Sequence, residues 1–253
     1  MTSLGYQASS LKAYLSTPDD LKATFCRLRD MGYRHLQLQW IDPSIPLEFT
    51  AETLRETGLT CIATQDSFEK VRDNLDYYIT MNKKWGSKCL CVSTMPRNQM
   101  TTDGIKLFCS EMKQIFYVLR EQGISLTFHP LFYNYEQVNG VCGLDTIMEL
   151  LPLESGLTLC IYHAVRAGVN PVALLEQYKG RIEICHFKDF MIFPDGEEYL
   201  VPVGQGKIDW NPIFEACRRF GVSWGLVEQE TWKKDPFVCA RESLDYISSC
   251  GII

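Results

Sequence analysis

Short apolar, β-branched runs alternate with longer amphipathic stretches along the whole chain, and the pair repeats eight times. Strand candidates fall at 4–8 (LGYQA), 35–40 (HLQLQW), 59–65 (LTCIATQ), 88–95 (KCLCVSTM), 125–130 (SLTFHP), 157–163 (LTLCIYH), 182–188 (IEICHFK) and 224–230 (WGLVEQE). Helical patterns follow them at 18–31, 47–57, 68–85, 105–122, 144–151, 171–178, 210–219 and 236–250. Thr17, Asn170 and Asp235 stand where a side-chain oxygen can take the first free helical N–H groups. Each precedes a proline, whose missing N–H costs nothing at that position. Gly32, Gly58, Gly123, Gly180 and Gly221 follow helical runs, where a left-handed residue ends the helix.

Eight such units in 253 residues predict an α/β fold, a single (β/α)8 TIM barrel spanning 1–253. An open doubly wound sheet would show fewer units and a glycine-rich first turn, which GYQASS is not. No stretch rich in Pro, Gly or Ser divides the chain. The longest irregular stretch, FMIFPDGEEYLVPVGQGKID, follows the seventh strand and is long enough to be a cover or binding loop.

A net charge of −6 argues against nucleic acid or an anionic membrane as partner, since both are bound through accumulated Lys and Arg. No apolar run approaches the roughly 18 residues of a membrane span. The first residues lack the basic start and apolar core of a signal peptide, so a cytoplasmic protein is expected. The eleven cysteines are odd in number, evenly spread and free of C-x-x-C pairs, which fits a reducing compartment. The sequence leaves homo-oligomerisation open.

In a barrel of this kind the C-terminal strand ends form the active site. Those ends carry Gln7, Gln37, Gln39, Gln65, Ser93, His129, Cys160, His163, His186, Lys188, Glu228 and Glu230. Three of the four histidines converge on this ring, and His35 falls at the opposite end. Glu228 and Glu230 share one side of the last strand, and a carboxylate in a barrel mouth must be paired, metal-bound or protonated. Lys188 or Arg166 is the candidate ion-pair partner; a metal-ligand or acid–base role is the alternative. Imidazoles and carboxylates on one rim form the ligand set of zinc, manganese or a related divalent ion. Gln37, Gln39 and Gln65 could bind substrate hydroxyls or satisfy neighbouring polar groups. The glycines of VPVGQGKIDW suggest either a phosphate loop or a flexible turn before a helix capped by Asp209. Trp40, Phe132, Tyr133 and Trp232 could stack a sugar ring or simply pack.

The segments YHAVRAGVNPVALLEQYKGRIEICHFKDF, PVGQGKIDW and GLVEQE, with LRDMGYRHLQLQW and LRETGLTCIATQ before them, resemble the sugar phosphate isomerase/epimerase family of xylose isomerase-like barrels. That group includes inosose dehydratases and tagatose-type epimerases. The resemblance implies a divalent metal (Mn, Zn, Mg or Co) held by a Glu of strand five, an Asp of strand six, a His of strand seven and a Glu of strand eight. His186 matches the histidine and Glu228 the last glutamate. His163 matches a histidine that contacts substrate or supports the ligands. The aspartate falls on Cys160, whose thiolate could hold a soft ion such as zinc. Gln65 replaces a histidine of the third strand and Leu131 one of the fifth, where His129 remains. The only nearby acid there is Glu136.

The resemblance implies proton abstraction next to a carbonyl on a sugar, sugar phosphate or polyol, giving isomerisation, epimerisation or dehydration. Glu228 or Glu136 would move the proton, with His163 assisting. His129, His186, Cys160 and Glu228 would hold metal, and Gln37, Gln39, Gln65, His129, His163, Lys188 and Glu230 would bind substrate. The alternative is an accessory sugar-binding barrel without the metal site. A third reading, an abasic-site endonuclease of a related barrel branch, runs against the acidic charge.

Overall fold

The computed structural model describes residues 2–251. Eight parallel strands follow one another around a closed barrel: β1 (Ser3–Gln7), β2 (His35–Leu38), β3 (Thr60–Ser67), β4 (Cys89–Ser93), β5 (Ser125–His129), β6 (Gly156–Cys160), β7 (Ile184–Phe187) and β8 (Trp224–Val227), with β8 pairing back to β1. Around them lie α1 (Pro18–Met31), α2 (Leu47–Thr57), α3 (Phe68–Asp73), α4 (Leu75–Trp85), α5 (Thr102–Glu121), α6 (Gly143–Leu150), α7 (Ile161–Arg166), α8 (Pro171–Gln177), α9 (Trp210–Phe220) and α10 (Pro236–Ser249). The fold is the (β/α)8 barrel that the alternation predicts. Among the described residues no helix is long and apolar enough to cross a membrane.

The punctuation works as its chemistry requires. Thr17 accepts from the Asp20 N–H at 3.1 Å, Asn170 from Val172 at 2.9 Å, and Asp235 from Phe237 and Val238 at 2.9 and 3.0 Å. Asp209 begins α9 without a side-chain cap bond. Gly32, Gly58 and Gly221 end α1, α2 and α9 in the left-handed conformation.

The period of two along each strand separates two cores. Outward residues meet the helices in the main core, where Leu21, Phe25 and Leu28 of α1 are fully buried, each contributing about 1.5–3 kcal/mol of transfer free energy. Inside the barrel, Ala63, Cys89, Ile184 and Leu226 form a separate small cluster that plugs the lumen below the site. Phe187 stacks edge-on against Trp210 and Phe214 at 5.5 and 5.2 Å. Only glycine fits beside that ring: a Cβ at Gly225 would lie 2.1 Å from Phe187.

Three local expectations change. Strand six ends at Cys160 rather than at 163, because Ile161–Arg166 folds as a helix that buries Ile161, Tyr162 and Ala164. A short apolar run such as LCIYH has the same periodicity as strand or as buried helix. The helical run 68–85 breaks at Asn74, whose side chain donates to the Lys70 carbonyl at 3.1 Å and competes with the helical ladder. The stretch after β7 is not irregular throughout: Asp189–Ile192 and Glu198–Val201 pair as an antiparallel hairpin.

Candidate active site

Following the inward face of each strand upward builds the site. Above the apolar plug, Thr127 and Thr158 hydroxyls meet at 2.9 Å. Two residues further along their strands stand His129 and Cys160. On the other side, Ile184 leads to His186 and Lys188, Leu226 to Glu228 and Glu230, and Ala63 to Gln65. His129, Cys160, His186 and Glu228 are buried, and their ligand atoms all lie within 4.8 Å of one another.

The ring nitrogens in this group are unsatisfied in a way that matters. Gln37 Oε1 accepts from Gln7 Nε2 at 3.0 Å and lies 2.6 Å from His186 Nε2. An amide oxygen only accepts, so this contact places a proton on Nε2 and turns Nδ1 toward the centre. That Nδ1 faces Glu228 Oε2 at 3.2 Å and makes no hydrogen bond. The carboxylate and this ring edge need a positive charge between them, carried by a proton on Nδ1 or by a bound cation. Both ring nitrogens of His129 are buried without partners, and burial, then the neighbouring His186 and His163, hold its pKa well below the ordinary value. Its imidazole is therefore neutral and available as a ligand. Two imidazoles, a sulfur and a carboxylate are zinc-type donors, so these residues fit a divalent ion.

Charge balance extends upward. Ser9 donates to Glu228 Oε1 at 3.2 Å. Lys188, itself buried, puts Nζ 3.7 Å from Glu228 and 2.7 Å from Glu230. Burial opposes the Lys188 charge, yet Glu228 and Glu230 outweigh it and raise its pKa. Burial likewise opposes the Glu228 charge, but His186 and Lys188 hold the carboxyl well below its usual range. Glu230 moves the other way: burial and the Glu228 charge raise it against the pull of Lys188. Of the two ion-pair partners expected for Glu228, Lys188 is present, whereas Arg166 turns to Glu198 at 3.5 Å and to the Tyr162 hydroxyl at 2.7 Å.

His163 sits on α7 with Nδ1 unpartnered, its ring 5.7 Å from that of His129. Burial, then Lys188, lowers its pKa to about 3. With Tyr162, Arg166, Lys188, Glu198 and Glu230 it lines an open cavity at the mouth. Gln65 Nε2 donates to Gln39 Oε1 at 3.1 Å, one layer above Gln37. Glu136 is not brought to this centre: it is exposed and paired with Arg97 at 3.1 Å. His35 stays at the far end, 2.7 Å from Thr60 Oγ1. Phe132 lies against His163, Tyr133 donates its hydroxyl to the Met95 carbonyl, and the Trp232 indole N–H is buried without a partner.

Asp189 is a buried carboxylate that the strand-end reading overlooks. It follows Lys188 and points outward, away from the lumen, into the glycine loop. Its buried carboxylate accepts from the N–H groups of Phe190, Gly204, Gly206 and Ile208 and from the Trp210 indole, at 2.8 to 3.3 Å. A Cβ at Gly206 would lie 2.1 Å from Asp189 Oδ1, so glycine is required there. Asp189 thus ties the loop to the barrel rim. The adjacent HFKD and G-x-G segments carried the signal, but only folding shows that one answers the other. Ser9, bonded to Glu228, and Gln7, bonded to Gln37, are further residues whose roles depend on tertiary contact.

No family model matches the chain. The inosose dehydratase of Lacticaseibacillus casei is 28% identical over 149 residues, 51% of this chain and 49% of the relative. The chain thus spans about half the length of the curated relatives it matches. A sugar phosphate isomerase/epimerase from Parabacteroides distasonis superposes with a TM-score of 0.83 at 19% identity, covering 100% of both chains. The IOLI protein, whose crystal structure holds a zinc atom, superposes with a TM-score of 0.72 at 17% identity, covering 99% of this chain and 98% of that one. The resemblance read from the motifs holds: the structural neighbours are sugar phosphate isomerase/epimerase and xylose isomerase-like proteins, and at these identities the likeness establishes a shared fold.

Proposed function

We propose that this chain is a zinc-assisted isomerase, epimerase or dehydratase that removes a proton next to the carbonyl of a sugar or polyol-derived ketone. The observation that carries the reading is the buried His129–Cys160–His186–Glu228 group, with partnerless nitrogens on both histidines. A zinc-bearing neighbour and a dehydratase relative support it.

His129, Cys160, His186 and Glu228 would hold the ion. When bound, a divalent ion supplies a Lewis acid for a carbonyl oxygen beside the carbon that loses its proton. Gln37, itself braced by Gln7, fixes the His186 tautomer and keeps Nδ1 directed at the centre. Ser9 and Lys188 fix the Glu228 carboxylate. Glu230, outside the ligand group and facing the mouth, is the carboxylate left to carry the proton, a role for which Glu136 is too far out on the surface. Lys188 adds a fixed positive charge where negative charge builds on substrate oxygens. His163, Gln39 and Gln65 offer hydrogen-bonding groups for substrate hydroxyls.

Metal analysis of the purified protein, followed by turnover assays on inososes and ketoses before and after chelation, tests the reading. About one zinc per chain and chelator-sensitive turnover are expected; no bound divalent ion together with no turnover sinks it. The accessory-barrel reading draws on Cys160, a thiol whose pKa burial pushes up to about 12, where an acid is expected. It would be preferred if sugar bound tightly, no panel member turned over and Glu228→Gln left binding unchanged.

A further inference from the structure

A cavity of about 390 Å³ opens beside β2 and β3, and of its lining residues the mechanism above uses Gln39 and Gln65 alone. Gln39, Trp40, Gln65, Asp66, Asn74 and Tyr77 are among its lining residues. Three features mark it as a place for a ligand. Trp40 adopts φ 59, a left-handed conformation that bulky residues rarely hold, and this backbone presents an indole that is 39% exposed. Tyr77 is 45% exposed and stands edge-on to the buried Tyr78 at 5.5 Å. Gln65 is buried, with its Nε2 committed to Gln39 and its Oε1 without any partner.

The chemistry of the lining narrows the ligand. Two exposed aromatic side chains offer apolar surface, while amides and a carboxylate offer hydrogen bonds at the edges, a combination suited to a polyhydroxylated ring. A purely aromatic or aliphatic group would leave those polar atoms unpaired. Within the lining, Lys70 lies 3.3 Å from Asp66, which also accepts from the Tyr78 hydroxyl at 2.7 Å. Lys12 Nζ stands 5.0 Å from the Trp40 ring centroid and adds a cation beside this wall.

The cavity is connected to the metal-ligating group through one strand. Gln37 holds His186, and Gln39 stands two residues on, about 7 Å at the usual strand rise. We propose that the cavity is a subsite for a second sugar ring, making glycosides the substrate class. One ring would sit at the His129–Glu228 centre and the next between Trp40 and Tyr77. The assignment of the first ring rests on the function proposed above.

Calorimetric titration of the full chain with glucose, maltose and cellobiose tests this. At least one disaccharide is expected to bind 10-fold or more tightly than glucose, equivalent to about 1.4 kcal/mol. Trp40→Ala should erase that advantage with glucose affinity unchanged, Trp40→Phe should retain most of it, and the surface change Tyr77→Ala should reduce it. Disaccharides binding no tighter than glucose, no binding of any of the three, or an advantage indifferent to both alanine variants would each overturn the subsite. Failure of the metal reading shows separately, as absent zinc, and leaves the disaccharide-to-glucose ratio readable.

Discussion

Cys160 and Gln37 set the character of the ligand group from two directions. A sulfur donor among imidazoles and one carboxylate favours a soft, tetrahedral ion, whereas carboxylate in its place favours manganese or magnesium. Cys160→Asp should therefore lower the zinc-over-manganese preference by roughly 10-fold or more, measured by competition against a chromogenic chelator. An unchanged ratio would mean that Cys160 is a wall and not a ligand. Gln37 acts through His186: Gln37→Leu removes the acceptor that fixes the tautomer and should weaken metal binding by about 10–100-fold with the thermal transition nearly intact. A normal affinity in that variant would show that the His186–Gln37 contact is only packing.

Among the elements, the hairpin and glycine loop after β7 depend on a single carboxylate. Five N–H donors converge on Asp189, and removing it strands them in a buried environment. Asp189→Ala should cost about 3–5 kcal/mol in urea unfolding and expose 189–208 to limited proteolysis; a loss under about 1 kcal/mol would contradict the role given to it. This scale also shows where sequence reading reaches its limit. The period of two along 125–129, 184–188 and 224–230 was enough to bring His129, His186 and Glu228 to one rim, because alternation is a local property. The end of β6 was not legible, since Ile161 and Tyr162 satisfy a strand or a buried helix equally. Nor was the Asp189 nest, whose donors lie up to 21 residues away in the chain and become neighbours only when the loop folds back.

At the scale of the molecule, the barrel interior is rich in thiols kept protonated by burial. Cys61 and Cys91 are pushed up to about 12 and Cys89 to about 11. An unfolded chain loses these protons above about pH 8.5, while the folded chain keeps them until pH 11 to 12. Through that window the native state binds more protons, so stability is complete below it and falls as pH rises, by up to about 1.4 kcal/mol per pH unit for each thiol. Urea midpoints should be level from pH 7 to 8 and drop steeply by pH 10, with a shallower slope in Cys91→Ala. A flat profile would refute the burial account. The barrel's overall plan was legible because eight repeats in this length leave few other folds, but Glu136 shows the limit: a nearby acid in sequence, it ends on the surface with Arg97. The Asp189 nest also has a consequence for substrate choice. The amides of a loop after the seventh strand are often where barrels receive a phosphate group, and here they are held by an anion tethered to the chain itself. A phosphate ester would have to displace a competitor that never diffuses away, so at this loop a phosphate gives a sugar no handle.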